Sequence, residues 1–160
     1  MREILLDSLR AVAVVVLVAT MVNCFGPASA STAEQKLSWQ IYAAKMELEK
    51  DLPKGILLAI CDQESRWRNV GGRHGEVGVC QIKPGTVRMI CPKCPPGIKG
   101  VLEDPYHNIR WAANYLVWLR DNVSPDPAVM MAAYNGGPAH PVVKYMVSVQ
   151  RRMLTRNEAM

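Results

Sequence analysis

The sequence predicts a mainly α-helical single domain, and three observations carry that prediction. Apolar residues recur at helical spacing over 37–48, 109–119 and 142–153. An acidic cap followed by proline, the pattern of a helix start, occurs at Asp51/Pro53, Asp104-Pro105 and Asp126-Pro127. The chain has 160 residues, 49% of them apolar, which suffices for one sizeable core. There are no internal repeats and no low-complexity tract.

Residues 1–30 read as a secretory signal peptide. Arg2 and Arg10 flank a short basic region, Ala11 to Val22 is an apolar run, and Ala28-Ser29-Ala30 offers a small-x-small cleavage site. The run is shorter than the ~20 apolar residues of a spanning helix, so no stable membrane insertion is expected after cleavage. Cys24 follows Asn23, a poor setting for lipidation, and is taken as incidental. Residues 31–160 form the expected domain. Its charge stays at +5 without the leader, which suits an anionic polymer or surface. No lysine/arginine run interleaves with aromatics, so nucleic acid is not an expected partner.

Ser31-Thr32-Ala33-Glu34 is a capping box and starts the first helix, with Leu37, Ile41, Ala44 and Leu48 as its apolar face. Asp51 then caps a second helix from Leu52 to about Ser65, apolar on nearly all sides and therefore expected at the domain centre. Residues 67–104 read mostly as loop. Gly71, Gly72, Gly75 and Gly78 permit close backbone approach to a ligand, 77–82 reads as a short strand or single turn, and a brief helix lies around Val87 to Ile90.

Pro105 to about Asp121 is the clearest helix, with Ile109, Ala112, Leu116 and Leu119 on one face and Trp111, Tyr115 and Trp118 forming a second stripe. That stripe reads first as core packing and second as a sugar-stacking surface. Pro127 begins a short helix that stops at Asn135-Gly136-Gly137-Pro138. The last helix, Pro141 to about Leu154, carries Val142, Tyr145, Val149 and Met153 on one face. Arg151, Arg152 and Arg156 favour its C-terminal end.

Four cysteines follow the leader: Cys61, Cys80, Cys91 and Cys94. Export makes disulfides the expected state, with three pairings open. Cys91-Pro92-Lys93-Cys94 lacks the second pair of ligands that a zinc site needs, so no metal is expected and a loop-stapling disulfide is.

Glu64, at the polar end of the apolar second helix and facing the glycine loop, is the candidate acid catalyst. Apolar surroundings raise a carboxyl's pKa and let it hold a proton near neutrality. Glu64-Ser65, Gly78-Val79-Cys80-Gln81-Ile82 and Ala133-Tyr134-Asn135-Gly136-Gly137, in that order, resemble the soluble lytic transglycosylase domain. Leu57 to Gln63 looks like its catalytic helix, and Asp104-Pro105-Tyr106-His107-Asn108-Ile109 resembles another of its helix starts. The resemblance spans about Leu37 to Tyr145.

It implies a lysozyme-like fold of the goose-type kind, and cleavage of the MurNAc-β-1,4-GlcNAc bond of peptidoglycan with a 1,6-anhydro product. It implies no cofactor and a periplasmic location. Glu64 would be the only catalytic carboxylate. Tyr134 would hydrogen-bond it, and Ser65, Gln81 and Asn135 would bind substrate. The small size resembles enzymes that open the wall for secretion, pilus or conjugation machinery. A hydrolytic muramidase, and a wall-binding assembly factor with dispensable activity, are the alternative readings. The family pattern has Leu-Met where this chain has Val79-Cys80, and Cys80 is expected to pair with Cys91 or Cys94.

Overall fold

The structure, a computed structural model, describes residues 32–94 and 96–157. The leader with Cys24, the Ser31 cap and the Arg156 side chain lie outside the described residues. Seven helices follow in order among these residues: α1 (Thr32–Glu49), α2 (Ile56–Ser65), α3 (Pro84–Ile90), α4 (Ile98–Leu102), α5 (Pro105–Asn122), α6 (Pro127–Gly136) and α7 (Val143–Asn157). The 71–82 segment is held by two isolated antiparallel bridges, Gly71 with Val77 and Val77 with Ile82. No described helix is long and apolar enough to cross a membrane.

Helix α2 runs through the core, with Ile56, Leu57, Ala59, Ile60 and Cys61 fully buried. It packs against α7, α5 and α6. A buried helix start leaves backbone N–H groups that need partners. Asp51, the expected cap, does not supply them. The helix begins four residues later than expected, at Ile56, behind Gly55 in the left-handed region at φ 85°. The partner is Glu47, buried on α1. Its carboxylate accepts from the Gly55 N–H at 2.7 Å, the Leu57 N–H at 2.7 Å and the Leu58 N–H at 3.0 Å. An anion at a helix N-terminus also meets the favourable end of its dipole.

That contact explains a second correction. The stripe Leu37, Ile41, Ala44 and Leu48 faces solvent; Leu37 is 56%, Ile41 62% and Leu48 85% exposed. Helix α1 instead turns Trp39, Tyr42, Ala43, Met46 and Glu47 inward. Tyr42 meets the Tyr106 ring edge-on at 5.1 Å, and its hydroxyl accepts from Arg110 Nε at 3.0 Å. Both stripes have helical spacing, and the need to cap α2 decides between them.

The disulfides are Cys61–Cys80 and Cys91–Cys94. The second closes the proline-rich turn, as the CxxC spacing suggests. The first corrects the expected partner of Cys80: the fold sets the 78–82 turn against the last turns of α2, within reach of Cys61. Helices α5 and α6 start as expected. Asp104 Oδ1 accepts from the His107 N–H at 2.9 Å, and Asp126 Oδ1 accepts from the Ala128 N–H at 2.8 Å. The short α4 lies inside the stretch read as loop.

Candidate active site

Glu64 lies one residue before the end of α2. Arg66 and Trp67, both left-handed at φ 55° and 62°, end the helix at once and turn the chain away. The carboxyl is half-buried and opens onto a cleft of about 440 Å³ lined by residues that include Gly72, Glu76, Gln81, Tyr115, Tyr134 and Asn135. That volume lies within the range of small-molecule sites.

Burial pushes the Glu64 pKa above its ordinary value of 4.5. A hydrogen bond from Tyr145 works against the rise, and the charge of Glu76 adds to it. Tyr145, on α7, donates its phenol to Glu64 Oε1 at 2.7 Å. One carboxyl oxygen is thereby an acceptor, and the other is left to carry a proton. Burial also pushes the phenols of Tyr134 and Tyr145 up and that of Tyr115 to about 12, so all three are O–H donors near neutrality.

The tyrosine that holds Glu64 is therefore Tyr145, which the sequence places on a buried helix face without marking it as functional. Tyr134 does not make the expected bond. It lines the cleft, but its hydroxyl donates to the Cys80 carbonyl at 2.9 Å and pins the 78–82 turn. Ser65 is also corrected. It is buried and does not line the cleft; its Oγ donates to the Val79 carbonyl at 2.6 Å and accepts from the Arg68 N–H at 3.0 Å. It ties the acid's helix to the turn.

Gln81 does line the cleft. It is left-handed at φ 50°, and its Nε2 donates to the Val70 and Gly78 carbonyls, each at 2.7 Å. Those bonds orient the amide and leave its Oε1 as an acceptor. Asn135 is exposed at the rim. Glu76 faces the same space but is occupied. Despite some desolvation, the His74 N–H and the Lys83 ammonium, 3.1 Å away, hold its pKa below the ordinary value. Gly72 is where these groups crowd: a Cβ there would strike the Glu76 carboxylate and the Gln81 amide.

Asn108 is the hub of the turn. Fully buried on α5, it donates from Nδ2 to the Val77 carbonyl at 2.7 Å and the Leu102 carbonyl at 3.1 Å, and its Oδ1 accepts from the Cys80 N–H at 2.8 Å. Gly78, at φ 80°, has no room for a Cβ against this amide. On the other side, Arg152 of α7 bonds Asp62 at 2.6 Å and Gln63 at 2.7 Å, and Ser148 bonds Gln63 at 2.8 Å. These contacts set the register in which Tyr145 reaches Glu64. Among the described residues, no group of three or more His, Cys, Asp or Glu side chains is placed to hold a metal ion.

No curated protein matches the chain. Among solved structures it is similar to the lytic transglycosylase Slt of Pseudomonas aeruginosa, in an inactive form with glutamine in place of a glutamate. The TM-score is 0.56 at 22% identity, covering 71% of this chain and 21% of that one. The likeness shows the fold, mainly α and lysozyme-like, and the chain corresponds to about a fifth of that protein's length. The family described as the transglycosylase SLT domain matches residues 41–150, which include Glu64, the 78–82 turn, the Tyr134 segment and Tyr145. That match takes in more than half of the chain, which therefore belongs to the transglycosylase SLT domain family.

Proposed function

We propose that the chain is a peptidoglycan lytic transglycosylase that cleaves the MurNAc-β-1,4-GlcNAc bond and leaves a 1,6-anhydroMurNAc end. The observation that carries this reading is that, among the described residues, Glu64 is the single cleft carboxyl with a raised pKa, and it is held by the Tyr145 phenol. Most glycosidases that use water work with two carboxyl groups. Here the other cleft carboxylate, Glu76, is ion-paired with Lys83. One group that serves as acid and then base fits a reaction in which the sugar supplies its own nucleophile.

In the first step Glu64 gives its proton to the glycosidic oxygen as the bond to C1 breaks. The 2-acetamido oxygen of the muramyl residue closes on C1 and holds the positive charge. Glu64, now ionised and stabilised by Tyr145, takes the proton from the C6 hydroxyl. The O6 then attacks C1 and reopens the acetamido ring. Glu64 ends protonated, ready for the next strand. A pKa near the working pH serves both halves. Gln81 and Asn135 are the proposed substrate contacts at the cleft, with Tyr134 supporting its wall. A periplasmic setting, with local wall opening around secretion, pilus or conjugation machinery as the cellular role, completes the proposal.

Mass spectrometry of digested sacculi tests the chemistry. Anhydromuramyl ends, lighter than reducing ends by one water and absent with Glu64→Gln, are the expected result. Reducing ends alone would mean hydrolysis, with water entering on the Glu76 side, and would overturn the transglycosylase assignment.

A further inference from the structure

Helix α5 carries Trp111, Tyr115 and Trp118 along one stripe. Tyr115 is buried and lines the catalytic cleft. Trp111 and Trp118 are only half-buried and line a separate open cavity of about 300 Å³ with Ile90, Asn114, Asp121 and Asn122. Both indoles pack in part against the core, and each also keeps part of its surface on this open, polar-rimmed hollow.

The two tryptophans are seven residues apart, two turns along one face of α5, and so about 10 Å apart along its axis. That is close to the run of two pyranose rings in a β-1,4-linked chain, so successive disaccharides would present the same ring face to each indole. The polar groups suit sugars as well. Asn114 makes no side-chain hydrogen bond with a described residue, so its amide is free to donate and accept. Asn122 donates to the Trp118 carbonyl at 2.9 Å, which leaves its own carbonyl as an acceptor. Asp121 is exposed beside it and held by Arg120 at 2.8 Å. Neither indole N–H of Trp111 or Trp118 bonds a described residue.

The hollow lies next to a wall of the cleft on the same helix. The Trp118 ring stacks on Tyr115, with centroids 6.3 Å apart and planes 23° from parallel. Ile90 follows Met89, which lines the trough adjoining the cleft. We propose that the Trp111–Trp118 face of α5 is a second carbohydrate-binding site, which holds an uncut stretch of β-1,4-linked N-acetylated amino sugar strand beside the one being cleaved. This ligand assignment rests on the wall-cutting reading above.

The test is cosedimentation with insoluble sacculi in a Glu64→Gln background, so that nothing is digested. Two variants keep it independent of any folding defect. Trp111→Ala removes the indole that does not stack on Tyr115, and Asp121→Ala/Asn122→Ala removes two exposed groups. Each is expected to weaken sedimentation about tenfold, the scale of a well-placed aromatic or polar contact. With Glu64 restored, both variants should clear sacculi more slowly while cutting a short soluble glycan at the parent rate. If the parent forms anhydromuramyl ends and both variants sediment as it does, the second site is refuted and the activity stands. A parent that leaves sacculi uncut and unbound removes the activity and the second site together.

Discussion

Replacing Asn108 with leucine removes the hub of the active-site turn without opening a cavity, because the two side chains are similar in size. The fold then holds three backbone groups whose partner is gone: the Cys80 N–H, the Val77 carbonyl and the Leu102 carbonyl. Each buried group left without a partner costs about 1–3 kcal/mol. Leu102 closes a helix and has the most freedom to find another donor, so the sum is about 3–5 kcal/mol. Against a total stability of about 5–15 kcal/mol, that is a large fraction. For a chain of this length it corresponds to a fall in Tm of roughly 10–15 °C. Urea unfolding without reductant measures it, with an unchanged slope showing that the two-state comparison holds. Hydrogen exchange at the Cys80 amide reports the turn itself, and activity should fall because Gln81 is on that turn. A stability loss below about 1 kcal/mol, with the Cys80 amide still protected, would refute the assignment of Asn108 as the hub.

Three further outcomes are expected. Tyr145→Phe removes the bond that favours ionised Glu64, so the Glu64 pKa rises further, the alkaline limb of the pH–rate profile moves up and kcat falls; an unmoved limb contradicts the role given to Tyr145. Glu64→Gln should stabilise the protein at neutral pH. The folded pKa lies above the ordinary 4.5, so the folded parent loses stability as pH rises from 4.5 through that raised value, and the variant does not. Thermal midpoints of the two should converge below 4.5, and a parent that is more stable at neutral pH would reverse the sign. Glu47→Ala strands the Gly55, Leu57 and Leu58 N–H groups and should cost about 2–4 kcal/mol by denaturant unfolding; a change within experimental error would show that α2 needs no such cap.

The place of Glu64 at the polar end of a buried helix was legible, because an apolar run that ends in a carboxylate marks both the burial and its limit, while the choice of Glu64 as the candidate acid came from the order of the motifs around it. The starts of α5 and α6 were legible because Asp-Pro acts locally. The buried face of α1 was not legible, since Leu37-Ile41-Leu48 and Trp39-Tyr42-Met46 both repeat at helical spacing. Periodicity alone cannot tell which stripe meets the rest of the chain, and the Glu47 carboxylate, which accepts from the first N–H groups of α2, settles it. Tyr145 had a weak signal: a phenol on a core face needs a buried acceptor. The identity of that acceptor depends on how α7 lies against α2, which the Asp62–Arg152 and Gln63–Ser148 contacts set. The roles expected of Ser65 and Tyr134 followed from their motifs, but a motif does not state which carbonyl a hydroxyl will find. Both donate to the turn that the motifs flank.

The cross-link between Cys61 and Cys80 joins the helix turn before the acid to the residue next to Gln81. Thiols in a reducing compartment remain apart, so a newly made chain there would hold the helix of Glu64 and the turn of Gln81 together by hydrogen bonds alone, chiefly that from Ser65 to the Val79 carbonyl. Fastening would come with arrival in oxidising surroundings. On the function proposed above, the covalent link between the acid's helix and the turn would then be completed only on export, on the side of the membrane where the wall polymer lies.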